Sequence, residues 1–91
     1  VIQFVWNEEK RLANLLKHGL DFADAEKVFN NPLVVFEDSR AAYGEQRMIA
    51  MGMLQALIVV IVHVDENDII RIISMRKATR NETDIYYRNC Q

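Results

Sequence analysis

The sequence predicts an α+β domain: a mainly antiparallel sheet of about four to five strands, two N-terminal helices and one C-terminal helix, in the order β-α-α-β-β-β-β-α. Three observations carry this expectation. Leu57 to Val64, LIVVIVHV, is apolar at both parities and reads as a central strand covered on each face. Leu12, Leu15 and Leu16 recur at helical spacing between Asn7 and Gly19, which have the residue types of an N-cap and a left-handed C-cap. Thr79-Arg80-Asn81-Glu82 has the T-x-x-E form of a capping box and starts a last helix.

The elements follow in order. Val1 to Trp6 alternates and is rich in β-branched and aromatic residues, giving a short first strand. Glu8 and Glu9 then occupy a first helical turn, where the helix dipole favours negative charge, and the helix runs to about His18. Its three leucines are expected in the core, with Lys10, Asn14, Lys17 and His18 forming a polar stripe on another face. Asp21 caps a second helix whose buried side is Phe22, Ala25, Val28 and Phe29; Asn30-Asn31-Pro32 stops it, because proline disfavours helix in the residue before it. Leu33 to Phe36 is a short strand, Glu37 to Glu45 a polar loop, and Gln46 to Met51 a further strand, with Gly52 beginning the next turn. After the central strand, Asp65 to Asp68 is a turn and Ile69 to Met75 the last strand. Ile85 and Tyr86 are expected to anchor the final helix.

Size and composition set the functional limits. Ninety-one residues, 51% hydrophobic and 26% charged, suit a single globular domain over residues 1–91. The longest apolar run is far shorter than the ~20 residues that span a bilayer, so no membrane role is expected. The N-terminus carries no secretory pattern and Cys90 is a lone cysteine, which together favour a cytoplasmic setting and exclude an internal disulfide or a cysteine-based metal site. Two histidines without a ligand motif give no metal site, and no cofactor motif is present. Residues 1–45 hold five Lys/Arg against eight Asp/Glu, whereas 46–91 hold six against five. With a net charge of -2, the chain is no polybasic nucleic-acid coat; a phosphate ligand would be met locally.

One local cluster stands out. Arg71, Arg76, Lys77 and Arg80 fall within ten residues that contain no acid, at a strand-to-helix junction held by the Thr79 capping box. Arginine suits bidentate phosphate contact and can stabilise the phosphorane formed during phosphodiester cleavage. RNA carries its own nucleophile, the 2′-hydroxyl, and therefore needs no metal once a base removes its proton. His18 serves either as that acid or base or as a cation capping its helix. His63 reads as a hydrogen-bonded core residue, and Trp6 as a core anchor. Arg71 and Arg76 are an odd number of residues apart, so a regular strand points them to opposite faces and only one reaches the phosphate; Arg76, at the strand end beside the rigid helix start, then leads, followed by Arg71.

Three stretches, Trp6 to Phe22 (WNEEKRLANLLKHGLDF), Glu45 to Gly52 (EQRMIAMG) and Arg71 to Glu82 (RIISMRKATRNE), together resemble the BrnT family of toxins, small members of the RelE-like ribonuclease superfamily. The resemblance covers nearly the whole chain. It implies a RelE-like α+β fold, an RNA-cleaving toxin that inhibits translation, and a ribbon-helix-helix antitoxin as partner, with DNA reached only through that antitoxin. The family's polar positions fall on Lys10, Asn14, Lys17, His18, Arg47, Arg71, Arg76, Arg80 and Glu82. The implied catalytic set is Arg76, Arg71, Arg47 and His18; Lys10, Lys17 and Arg80, together with Lys77 from the cationic junction, are the expected RNA-binding set. Relatives carry an arginine near the position of Glu66, where this chain reads HVDEND, a departure expected to lower activity or alter substrate preference. A different class of function also fits an acidic chain lacking that cation, namely a module that mainly docks its antitoxin.

Overall fold

A computed structural model describes residues 1–40 and 42–90; Ala41, within the expected polar loop, lies outside the described residues. The elements are β1 (Gln3–Trp6), α1 (Glu8–His18), a 3-10 turn (Phe22–Asp24), α2 (Ala25–Phe29), β2 (Leu33–Glu37), β3 (Met48–Leu54), β4 (Leu57–Glu66), β5 (Ile69–Lys77) and α3 (Arg80–Asn89). The sheet order is β1-β5-β4-β3-β2, antiparallel except for the β1 to β5 pair. This is the α+β architecture that the residue pattern predicts.

The apolar run at both parities of β4 has the expected cause. Val59 and Ile61 pack on one face with Phe22, Ala25, Val28, Ile70, Ile72 and Met75; Ile58 and Val60 pack on the other with Met51, Ala78 and Tyr86. Helix α3 covers only part of that second face, anchored by the Tyr86 hydroxyl donating to the Pro32 carbonyl at 2.9 Å.

The first helix corrects the sequence reading. Leu12 and Leu16 are 48% and 91% exposed, whereas Asn14, expected on the polar stripe, is only 9% exposed. Strand β1 ends at Trp6, opposite Ile72, and leaves the edge of β5 beyond that point without a strand partner. The Asn14 side chain takes its place: Nδ2 donates to the Met75 carbonyl at 2.8 Å and Oδ1 accepts from the Met75 N–H at 3.1 Å. A third bond, from Nδ2 to the Leu20 carbonyl at 3.1 Å, ties the end of α1 to the same point. Backbone satisfaction thus outweighs leucine burial in setting which face turns inward.

Two smaller expectations also change. The second helix is divided: Asp21 accepts from the Ala23 N–H at 2.9 Å and caps the 3-10 turn, after which α2 follows. Gly52 does not begin a turn but lies inside β3, opposite Val59 and Leu33. A Cβ there would stand 2.7 Å from Leu33 Cδ2 and 2.8 Å from Val28 Cγ1, so the missing side chain lets α2 close on the sheet. Trp6 packs against the core, as its aromatic character predicts.

Candidate functional site

The strand alternation that separates Arg71 from Arg76 is broken by a bulge. Val62 of β4 faces Ser74 of β5, but His63 faces Ile72, so Ile73 has no counterpart. One extra residue reverses the parity of everything after it. Arg71 pairs with Val64, Ser74 with Val62 and Arg76 with Val60, and directly opposite residues share a face, so all three lie on the α3 side of the sheet. The prediction of opposite faces is therefore overturned. Between the Arg71 and Arg76 rows runs a less charged one, Phe36, Ile49, Val62 and Ser74.

Arg47, just before β3, joins this face through a carboxylate. Glu45 Oε1 accepts from Arg71 at 2.6 Å and Oε2 from Arg47 Nε at 3.4 Å. The hydrogen bond from Arg71, with a smaller contribution from Arg47, holds the Glu45 carboxyl below the usual carboxylate range. Arg47 also lies over the Tyr43 ring, 4.1 Å from its centroid, in cation-π contact.

Arg76 is fixed by the helix start. Its two terminal nitrogens donate to Glu82 Oε1 and Oε2, each at 2.8 Å, a bidentate pair. Glu82 Oε1 also accepts from the Thr79 N–H at 2.8 Å, while Thr79 Oγ1 accepts from the Glu82 N–H at 3.2 Å. The predicted capping box is present and is tied directly to the arginine. Arg76 pulls the Glu82 carboxyl down to about 2, and Glu82 in turn raises the guanidinium pKa, which burial and, to a smaller extent, the charge of Arg40 oppose. Arg40 itself is held by the buried Asp38 carboxylate, at 2.7 Å from Nε and 2.8 Å from a terminal nitrogen. Asp38 is lowered to about 2, chiefly by that bond.

The other expected cations are spread more widely. Lys77 is opposite Val59 and so faces away from Arg76. Arg80 is exposed at the first position of α3. Lys10, Lys17 and His18 are exposed on α1, and no hydrogen bond or ion pair among the described residues joins their side chains to the arginines. Lys17 and His18 occupy the last turn of α1, where a cation complements the helix dipole. His63 is in the core, as expected, 2% exposed and edge-on to Phe29, and its Nδ1 has no hydrogen-bond partner among the described residues.

Sequence reasoning missed Glu45, Tyr43 and the Asp38-Arg40 pair. The one available signal was Glu45-x-Arg47, a spacing that sets both side chains on one side of an extended segment. Among the described residues no group of three or more His, Cys, Asp or Glu is placed to hold a metal, and no helix is long and apolar enough to cross a membrane.

Residues 6–82 match the family model described as the ribonuclease toxin BrnT of type II toxin-antitoxin systems. The crystal structure of the Brucella abortus ribonuclease toxin BrnT superposes with a TM-score of 0.72 at 30% sequence identity, covering 88% of this chain and all of that one. No curated protein matches the sequence.

Proposed function

Since the chain belongs to the BrnT family of ribonuclease toxins of type II toxin-antitoxin systems, we propose that its arginine face binds RNA and cleaves it by attack of the 2′-hydroxyl. The observation that supports this most is the convergence of Arg47, Arg71 and Arg76 on one face, the first two through Glu45 and the third through the bulge at Ile73. In this reading the guanidiniums take the non-bridging oxygens of the scissile phosphate. Arg76, pre-oriented by Glu82, is placed to meet the charge that grows on the phosphorane.

Glu45 is the carboxylate at hand for the proton of the 2′-hydroxyl. Its ion pairs keep it ionised in the free protein. Once a phosphate occupies Arg71 and Arg47, that stabilisation weakens and the carboxylate becomes a stronger base. The 2′ oxygen then bonds to phosphorus, the bond to the 5′ oxygen breaks, and that oxygen takes a proton from water, leaving a 2′,3′-cyclic phosphate and a 5′-hydroxyl. No step needs a metal. Arg80, Lys10 and Lys17 attract the RNA backbone from the periphery, and Lys77 does so from the opposite face. A ribbon-helix-helix antitoxin presenting an acidic segment to the arginines would neutralise the toxin and make any DNA contact.

Purified protein is expected to cleave single-stranded RNA in EDTA. Arg76→Ala and Glu45→Gln should each abolish most cleavage while the fold is kept, and His18→Ala decides whether that histidine takes part. Full cleavage by Arg76→Ala would sink the mechanism.

A second reading rests on one observation: the guanidiniums at positions 40, 47, 71 and 76 are each already paired with a carboxylate of the same chain. A module that mainly docks its antitoxin would have this character. Induced expression separates the two: growth arrest with RNA loss supports the nuclease, whereas no arrest together with tight, salt-sensitive antitoxin binding supports the module.

A further inference from the structure

Beside Arg71 the sheet face ends in a pocket of about 260 Å³, of whose lining the phosphate chemistry above uses only Arg71 and Glu45. Its floor is apolar: Val5 of β1, the Arg71 neighbour in the parallel pair, Val64 of β4 and Ile69 of β5. Val5 and Ile69 stay 38% and 42% exposed, an apolar surface left open among the described residues. Arg71 with Glu45 bounds the pocket toward the arginine face, and Glu66 with Asn67 bounds it at the β4 to β5 turn. That turn is a tight two-residue one in which Asn67 and Asp68 both take positive φ, 52° and 64°, which fixes Glu66 at the pocket rim. Unlike Glu45 and Glu82, Glu66 belongs to no ion pair among the described residues of this face.

We infer that this pocket is a base subsite of the RNA-binding face, selective for guanine through the Glu66 carboxylate. The inference rests on the nuclease reading for its biological ligand, but the pocket's chemistry can be tested apart from it. The volume is below the roughly 300–1,000 Å³ of pockets for drug-sized ligands and suits one planar ring system. Single-stranded RNA is read by splaying a base out of the stack, laying it on an apolar or guanidinium surface and hydrogen bonding its Watson-Crick edge. A carboxylate only accepts, through two oxygens. Guanine alone presents two adjacent donors on that edge, N1–H and the N2 amino group. Adenine and cytosine set a ring-nitrogen acceptor beside their amino group, and uracil flanks its single donor with two carbonyls, so each of them faces Glu66 with at least one acceptor. Arg71 stands between the pocket and the other arginines, where it would hold the phosphate attached to the bound nucleoside.

The test is a titration of the full, isotopically labelled chain with the 3′-monophosphates of guanosine, adenosine, cytidine and uridine, followed by backbone amide shifts. Guanosine 3′-monophosphate is expected to bind at least tenfold more tightly than the other three and to shift Val5, Val64 and Asn67. Glu66→Gln should bring its affinity down to theirs, with the amide spectrum away from the pocket unchanged. Equal affinities for the four nucleotides, or a guanosine preference that survives Glu66→Gln, would overturn the inference. Mapping the RNA cuts made by the wild-type chain adds a separate readout. Cleavage next to guanosine agrees with the inference, cleavage indifferent to guanosine contradicts it, and absence of cleavage removes the nuclease reading while the titration still decides the pocket.

Discussion

Glu82 holds Arg76 through two parallel bonds of 2.8 Å while capping the helix on which it sits. One carboxylate thus joins the end of β5 to the start of α3 and fixes the direction of the guanidinium. Glu82→Ala is expected to lower stability by about 1 kcal/mol through the lost cap and also to reduce RNA cleavage, because Arg76 is released. Thr79→Ala should cost similar stability with much less effect on cleavage. Denaturation and cleavage rates measured on both variants check this; equal loss of cleavage would assign the effect to the helix rather than to Arg76.

The bulge at Ile73 puts Arg71 and Arg76 on the same face of the sheet, where the proposed mechanism has them share one phosphate. Each alanine variant is expected to lose on the order of 10²- to 10³-fold in cleavage, the range for removing one donor to a developing charge. The double variant should lose less than the product of the two, as groups acting as a unit do. A silent Arg71→Ala would show that Arg76 acts without Arg71.

Acid should loosen the helix junction. The folded-state pKa of Glu82 is lowered to about 2 from an ordinary 4.5, so its stabilising effect is complete above about pH 4.5 and is lost as pH falls toward 2. In Glu82→Gln that part of the acid dependence should vanish, which pH-dependent denaturation measures directly.

His63 acts at a higher pH. Burial, opposed by Ile61 and Asp65, lowers its pKa below 6.5, and Phe29 is the ring packed against it. The unfolded chain therefore binds the extra proton more readily, so stability is full above about 6.5 and falls as pH drops below it. Replacing His63 by leucine should flatten the stability profile between neutrality and the folded-state pKa.

Asn14→Ala removes three hydrogen bonds and leaves the Met75 N–H and carbonyl without their partner. At about 1–3 kcal/mol for each buried group left unsatisfied, a loss of roughly 3 kcal/mol is expected in urea denaturation. Lys10→Ala and Lys17→Ala, on exposed positions of the same helix, should leave stability nearly unchanged.

The sequence by itself determined what depends on neighbours along the chain. The caps at Asn7, Gly19 and Thr79, the doubly buried β4 and the presence of a cationic junction are set by local hydrogen bonds and side-chain periodicity, and each is where the residues predict it. Only the tertiary structure decided the rest. Asn14 turns inward because β1 stops short of Met75, Gly52 stays in a strand because α2 approaches it, and Arg71 joins Arg76 because one residue of β5 goes unpaired against β4. Glu45 enters the site for the same reason: its partner Arg71 is 26 residues away in sequence. Such features depend on which backbone groups another segment leaves unsatisfied and on the register it imposes, and neither is encoded in the spacing of residues within a single element.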